Sequence, residues 1–112
     1  MTRPEQPFTF SRTGHVARNR AVLAAMTNKQ SHVDGTLSEE EINWLVNRAE
    51  GGFGIITTAA THVVPEGKGW DGEMGVWGDH QLPGLTRLAG EIKDHGAISL
   101  AQVFHGGMRC PQ

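Results

Sequence analysis

Apolar residues run together in three short stretches, at 21–26, 53–60 and 97–103. Between these runs the spacing changes. Ile42, Leu45, Val46 and Ala49 recur three and four residues apart, and so do Leu85, Leu88, Ala89 and Ile92. Continuous apolar runs bounded by turn residues read as buried strands, and the 3.6-residue spacing reads as one face of a helix. Ahead of them, 8–17 alternates loosely around Thr13-Gly14, which suggests a β-hairpin. The predicted order is hairpin, strand, helix, strand, helix, strand.

The first helix is the clearest element. Ser38 with Glu41 three residues on makes a capping box, and Glu39-Glu40-Glu41 suits the positive end of the helix dipole. Arg48 falls in the last turn, and Gly51-Gly52 supplies a left-handed C-cap. The second helix starts around Pro83-Gly84-Leu85 and ends at Asp94-His95-Gly96. A glycine-rich connection, 62–78, precedes it. Strands alternating with helices of this length predict βαβ units, right-handed crossovers and a parallel α/β sheet. Three parallel strands with two helices leave sheet faces and edges open, so one partial domain, 1–112, is expected rather than a finished fold.

Composition narrows the function classes. Charged residues are 20% of the chain and apolar residues 38%, which is globular rather than disordered. The net charge of −2 and scattered Lys and Arg give no reason to expect a nucleic-acid partner. No stretch reaches the ~20 apolar residues of a membrane span, and the polar start has no apolar signal core. The single cysteine, Cys110, has no internal disulfide partner, which favours a cytoplasmic setting.

The candidate chemistry lies at strand ends. Gly51-Gly52-Phe53-Gly54 runs from helix to strand, the wrong turn for a phosphate-binding loop. His15, His32, His62, His80, His95 and His105 show no metal-ligand spacing, so no metal is expected. In parallel α/β folds ligands bind at the carboxyl ends of strands. There stand Ala25-Met26-Thr27, Ala59-Ala60-Thr61 and Gln102-Val103-Phe104-His105. Small side chains at Ala25 and Ala60 admit a flat ligand, while Thr27 and Gln102 supply a hydroxyl and an amide. Gln102 is expected to be buried in the last strand, opening into His105-Gly106-Gly107-Met108-Arg109.

Ordered together, several segments resemble one family. They are Asn19-Arg20-Ala21-Val22 leading to Ala25-Met26-Thr27; Arg48-Ala49-Glu50-Gly51-Gly52-Phe53-Gly54-Ile55-Ile56; Ala60-Thr61-His62-Val63 with Pro65-Glu66-Gly67; and Gln102 through Arg109. From about Phe8 onward the chain resembles the amino-terminal third of the old yellow enzyme family, FMN-dependent ene-reductases and NADH:flavin oxidoreductases. The family's pattern has Pro-Met where this chain has Ala25-Met26.

The resemblance implies the start of a (β/α)8 TIM barrel, with a hairpin lid (8–17) at the bottom and the first three barrel strands and two helices in 18–112. It implies FMN, with NAD(P)H as reductant and an activated alkene as substrate. Ala25 and Met26 would lie against the isoalloxazine. Thr27 would hydrogen-bond the flavin O4 and tune its potential, the one catalytic role implied. Ala60 would flank the ring, and Gln102 would hold the pyrimidine edge. His105, Met108 and Arg109 would shape the pocket rim. The family's substrate-anchoring residues, proton donor and phosphate loops have no counterpart here, so the remaining barrel segment is the expected partner. Two other readings stand beside this one. One is a non-catalytic or self-associating half-barrel without flavin. The other is a dihydroorotate-dehydrogenase-like FMN barrel, against which the segment Gln102 through Gly107 argues.

Overall fold

The computed structural model describes residues 2–111; Met1 and Gln112, the outermost residues of the expected domain, lie outside them. The amino-terminal alternation forms a hairpin, with β1 (Phe8–Thr9) antiparallel to β2 (Val16–Ala17). Gly14 turns it with φ +76°, a conformation glycine adopts without steric cost. There follow β3 (Val22–Leu23), α1 (Glu39–Glu50), β4 (Ile55–His62), β5 (Met74–Gly75), α2 (Leu82–Asp94) and β6 (Ile98–Phe104). Phe10, Thr13 and His15 of the hairpin share a surface groove with Ile55, Ile98 and Ser99. The hairpin therefore sits at the amino-terminal ends of the long strands, as expected of a bottom lid.

β4 is the centre of a parallel sheet. β6 pairs with it from Ile55↔Ile98 to His62↔Phe104. Its other edge is shared: β3 takes the start, Val22↔Ile55 and Leu23↔Ile56, and β5 takes the end, Thr61↔Met74 and His62↔Gly75. A bulge lies between Thr57 and Ala60 of β4. There the Thr58 hydroxyl accepts the Gln102 backbone N–H at 3.2 Å, so the interrupted ladder keeps its donor satisfied.

Leu23, Ile42, Leu45, Ala49, Ile56, Leu88, Ile92 and Ala97 form one buried core between the helices and the sheet. Arg18 ties the layers together. Its guanidinium donates to the carbonyls of Ala49, Phe53 (2.9 Å) and His95. These include the carbonyl ends of both helices, which lack partners within the helix and carry its negative dipole. Beside it the Asn19 amide donates to the Gly52 carbonyl at 2.7 Å. A Cβ on Gly54 would stand 2.6 Å from Asn19 O and Oδ1, so only glycine lets the two segments meet.

Four sequence expectations change. The buried strand over 21–26 is two residues long, and of those six residues only Leu23 is buried. Its pairing ends at Leu23↔Ile56, immediately before the stretch of β4 that bulges between Thr57 and Ala60. The second strand begins at Ile55 and runs on to His62, so the connection to α2 is 63–81 and itself contains a strand. The capping box is half formed. Ser38 Oγ accepts the Glu41 N–H at 3.1 Å, but the Glu41 carboxylate turns inward, to Asn28 Nδ2 (3.1 Å) and Ser31 Oγ. Finally, Gly51 stays right-handed at φ −70°, and the positive φ, +119°, falls on Gly52.

Two comparisons test this packing. Gly54→Ala should destabilise the chain by about 1–3 kcal/mol through overpacking. Gly90→Ala, where a Cβ meets nothing within 4 Å, should stabilise it by about 0.5–1 kcal/mol. Urea denaturation reads both, and equal midpoints would contradict the close approach at Asn19. Glu41→Leu should cost about 1–3 kcal/mol by stranding Asn28 and the buried Ser31. Amide exchange at 28–31 should rise in that variant more than exchange in the helix itself.

Candidate functional site

Because β3, β4 and β6 run parallel, their carboxyl ends lie at one end of the sheet, where such folds place ligands. Ala60 and Gln102 are direct register partners there. Ala60 is buried and presents only a methyl group. The Gln102 side chain is exposed, and among the described residues its amide has no hydrogen-bond partner. This corrects the expectation of a buried amide. β6 is covered by a neighbouring strand on one edge only, so 100–103 stay open to solvent.

Ala25, Met26 and Thr27 follow β3 at the same end. Ala25 is half-buried, while Met26 and Thr27 are exposed, and the Thr27 hydroxyl has no partner among the described residues. β3 pairs with β4 only at Val22 and Leu23, so these three do not share its register as Gln102 does. Their position is set from behind. Glu41, fully buried, receives Asn28 and Ser31 just beyond Thr27. Ser31 N–H also donates to the Gly72 carbonyl at 3.1 Å. A Cβ on Gly72 would come within 2.5 Å of the Lys29 carbonyl, so glycine is needed for the two loops to dock.

These residues fit the edge of a flat polar ring. Two small side chains leave room for it, and a hydroxyl and an amide stand unused and pointing to solvent. His105, Met108 and Arg109 are exposed at the same end, with Cys110 half-buried behind them. His105 Nδ1 accepts the Gly107 N–H at 2.9 Å, and Phe104 packs at 5.3 Å from Trp70.

A buried polar cluster lies beside this end. His62 and Glu73 are each 2% exposed. Trp77 Nε1–H donates to His62 Nε2 at 3.1 Å, and His62 Nδ1 faces Glu73 Oε1 at 3.6 Å. Glu73 Oε1 also accepts the Gly69 N–H at 2.7 Å. Burial holds the His62 imidazole below its ordinary value, with Lys68 adding to the effect, and pushes the Glu73 carboxyl up. Gln81 closes the group: its Oε1 accepts the Trp77 N–H (2.8 Å) and its Nε2 donates to the Asp34 carbonyl (3.0 Å). Metal-ligand spacing does not single out His62, and its burial at the end of β4 depends on pairing with β5. The signal available was its position directly after Ala60-Thr61, extending the strand by two residues.

Comparison with known proteins places this architecture. The profile of the NADH:flavin oxidoreductase / NADH oxidase family matches residues 6–112. The chain is similar to Probable NADH-dependent flavin oxidoreductase YqiG of Bacillus subtilis, 39% identical over 95% of this chain and 28% of that protein. NADH:acrylate oxidoreductase of Vibrio harveyi is 35% identical over 85% of this chain and 9% of its own length. The old yellow enzyme homologue of Zymomonas mobilis superposes with a TM-score of 0.87 at 28% identity, over 96% of this chain and 29% of that one. The chain thus spans under a third of the length of each of these relatives. It belongs to the NADH:flavin oxidoreductase / NADH oxidase family, whose cofactor is FMN reduced by NADH or NADPH, and it forms part of that family's TIM barrel.

Proposed function

We propose that this chain is the flavin-facing part of an oxidoreductase that passes hydride from NAD(P)H, by way of FMN, to an activated alkene, and that it acts only with the remaining barrel segment. The observation that carries the reading is the pairing of Ala60 with Gln102 at the carboxyl end of the sheet, with an unengaged amide on one side and a bare methyl on the other. The name of the Vibrio harveyi relative, for acrylate, supports an alkene conjugated to a carboxylate.

Bound FMN would supply the hydride relay. The residues of this chain hold and tune it. Ala25 and Met26 pass against the ring, which their exposed segment after β3 allows. The Thr27 hydroxyl donates to the flavin O4, where a donor stabilises the charge that reduction places on the ring. Ala60 leaves room for the ring to approach the strand, and the Gln102 amide pairs with the pyrimidine edge. Glu41 does not touch the ligand; it orients the Thr27 end through Asn28 and Ser31. A cytoplasmic setting fits a chain with one cysteine. Among the described residues no helix is long and apolar enough to cross a membrane.

The second reading, a self-associating half-barrel without flavin, has one observation in its favour: β6 pairs with a neighbouring strand on one edge only, and its Leu100 and Val103 side chains are 48% and 68% exposed. Mixing the chain with the separately expressed remainder of the barrel and FMN separates the two. The proposal expects a purified complex with flavin absorbance, bleached by NAD(P)H and restored by an activated alkene. A flavin-free symmetric oligomer that ignores the remainder would establish the second reading instead. In the complex, Gln102→Ala should weaken FMN by about 1–3 kcal/mol, the effect of losing buried hydrogen bonds. Thr27→Ala should shift the flavin potential with little loss of affinity; equal and negligible effects of both would remove these residues from the site.

A further inference from the structure

His62, Glu73, Trp77 and Gln81 are not used by the flavin reading, yet they gather where the connection 63–81 meets the end of β4. An indole N–H can only donate. Since Trp77 donates to His62 Nε2, that nitrogen carries a lone pair, and the proton of the neutral imidazole is on Nδ1. Nδ1 faces Glu73 Oε1 at 3.6 Å, beyond hydrogen-bond length, and neither it nor Glu73 Oε2 has another partner. A second proton can enter the ring only at Nε2. There it would oppose the Trp77 N–H, donor against donor. On the opposite side of the ring Nδ1 faces Glu73, whose carboxyl is pushed up by burial.

The connection is built to let the indole leave. Trp77 is 39% exposed. It reaches His62 only because position 75 is glycine: a Cβ there would lie 3.0 Å from the indole nitrogen. Gly78 follows it directly. We propose that His62 and Trp77 form a proton-operated latch, in which uptake of one proton at His62 Nε2 releases the indole and loosens the connection from the carboxyl end of β4.

The charged and titratable neighbours are few. The Met74 backbone favours the protonated ring and Lys68 opposes it, while Glu73, its carboxyl pushed up by burial, faces Nδ1 at 3.6 Å. His80 packs edge-on against Trp77 with ring centroids 5.0 Å apart. Desolvation is the largest influence and keeps His62 below its ordinary 6.5, so the latch is closed at neutral pH. A group whose folded value is depressed loses its stabilising contribution as pH falls from its unfolded value toward the folded one. The latch therefore opens on acidification, starting below about 6.5. Ala60 lies two residues before His62, but the latch does not depend on flavin binding.

Nitrogen-15 NMR on the whole chain tests it. At neutral pH His62 should show the Nδ1–H tautomer, and the Trp77 indole proton should exchange roughly tenfold more slowly than in His62→Ala, the effect of one ordinary hydrogen bond. On acidification the Trp77 indole signal should titrate with His62, while the core amides of Leu45 and Ile92 stay protected. His62→Gln, which offers an acceptor that cannot be protonated, should restore the protection and abolish the titration. An Nε2–H tautomer would overturn the proposal. So would release of Trp77 together with Leu45 and Ile92 at the same pH in both wild type and His62→Gln, which is global unfolding.

Discussion

Parallel pairing along both edges of β4 is the constraint on which the rest of the molecule depends. Parallel neighbours cannot be joined by tight turns, so each step between them needs a crossover, and α1 and α2 supply the two long ones. Right-handed crossovers bring both helices to the same face, where Leu45, Ala49, Leu88 and Ile92 meet Ile56. The same parallel direction gathers the strand ends that carry Thr27, Ala60 and Gln102 at one end of the sheet. The hairpin and the Arg18 guanidinium hold the other end, where the carbonyl termini of the helices collect. One end of the sheet is thus tied by structural hydrogen bonds, and the other is left with unused ones.

The carboxyl end of the sheet is shaped more by buried polar groups than by apolar packing. Glu41, Glu73, His62 and Gln81 are all buried, and each links a loop to a helix or strand. Buried polar groups are costly unless bonded, so each restricts its loop to the geometry that satisfies it. Glu41 restricts the segment after Thr27. Gln81 restricts the turn that carries Trp77. In the His62 cluster, two buried atoms are left without partners, His62 Nδ1 and Glu73 Oε2.

Much of this was legible in the linear pattern. The helix over 39–50 followed from Ser38, the acidic turn and the spacing of Ile42, Leu45 and Ala49, because local capping and periodicity act within a few residues. The hairpin around Gly14 and the alternation of strands and helices were equally local. The strand-end residues were legible by position, and the ordered segments carried the family resemblance. Exposure of Gln102 was not legible, since an apolar run looks the same whether or not another strand covers it. Nor was β5, whose two residues are too few for any periodicity and which exists only through pairing with Thr61 and His62.

By itself the sequence determined the element order, the parallel α/β class, the family and the three strand ends that carry the candidate site, because each rests on contacts within a few residues or on ordered short motifs. The tertiary structure alone decided which polar groups face one another. Glu41 leaves its helix cap for Asn28 and Ser31, and His62 meets Glu73 and Trp77, across separations of 10 to 15 residues. Such partners are chosen by where β5 and the loops dock, and burial in that docked state gives them their chemistry.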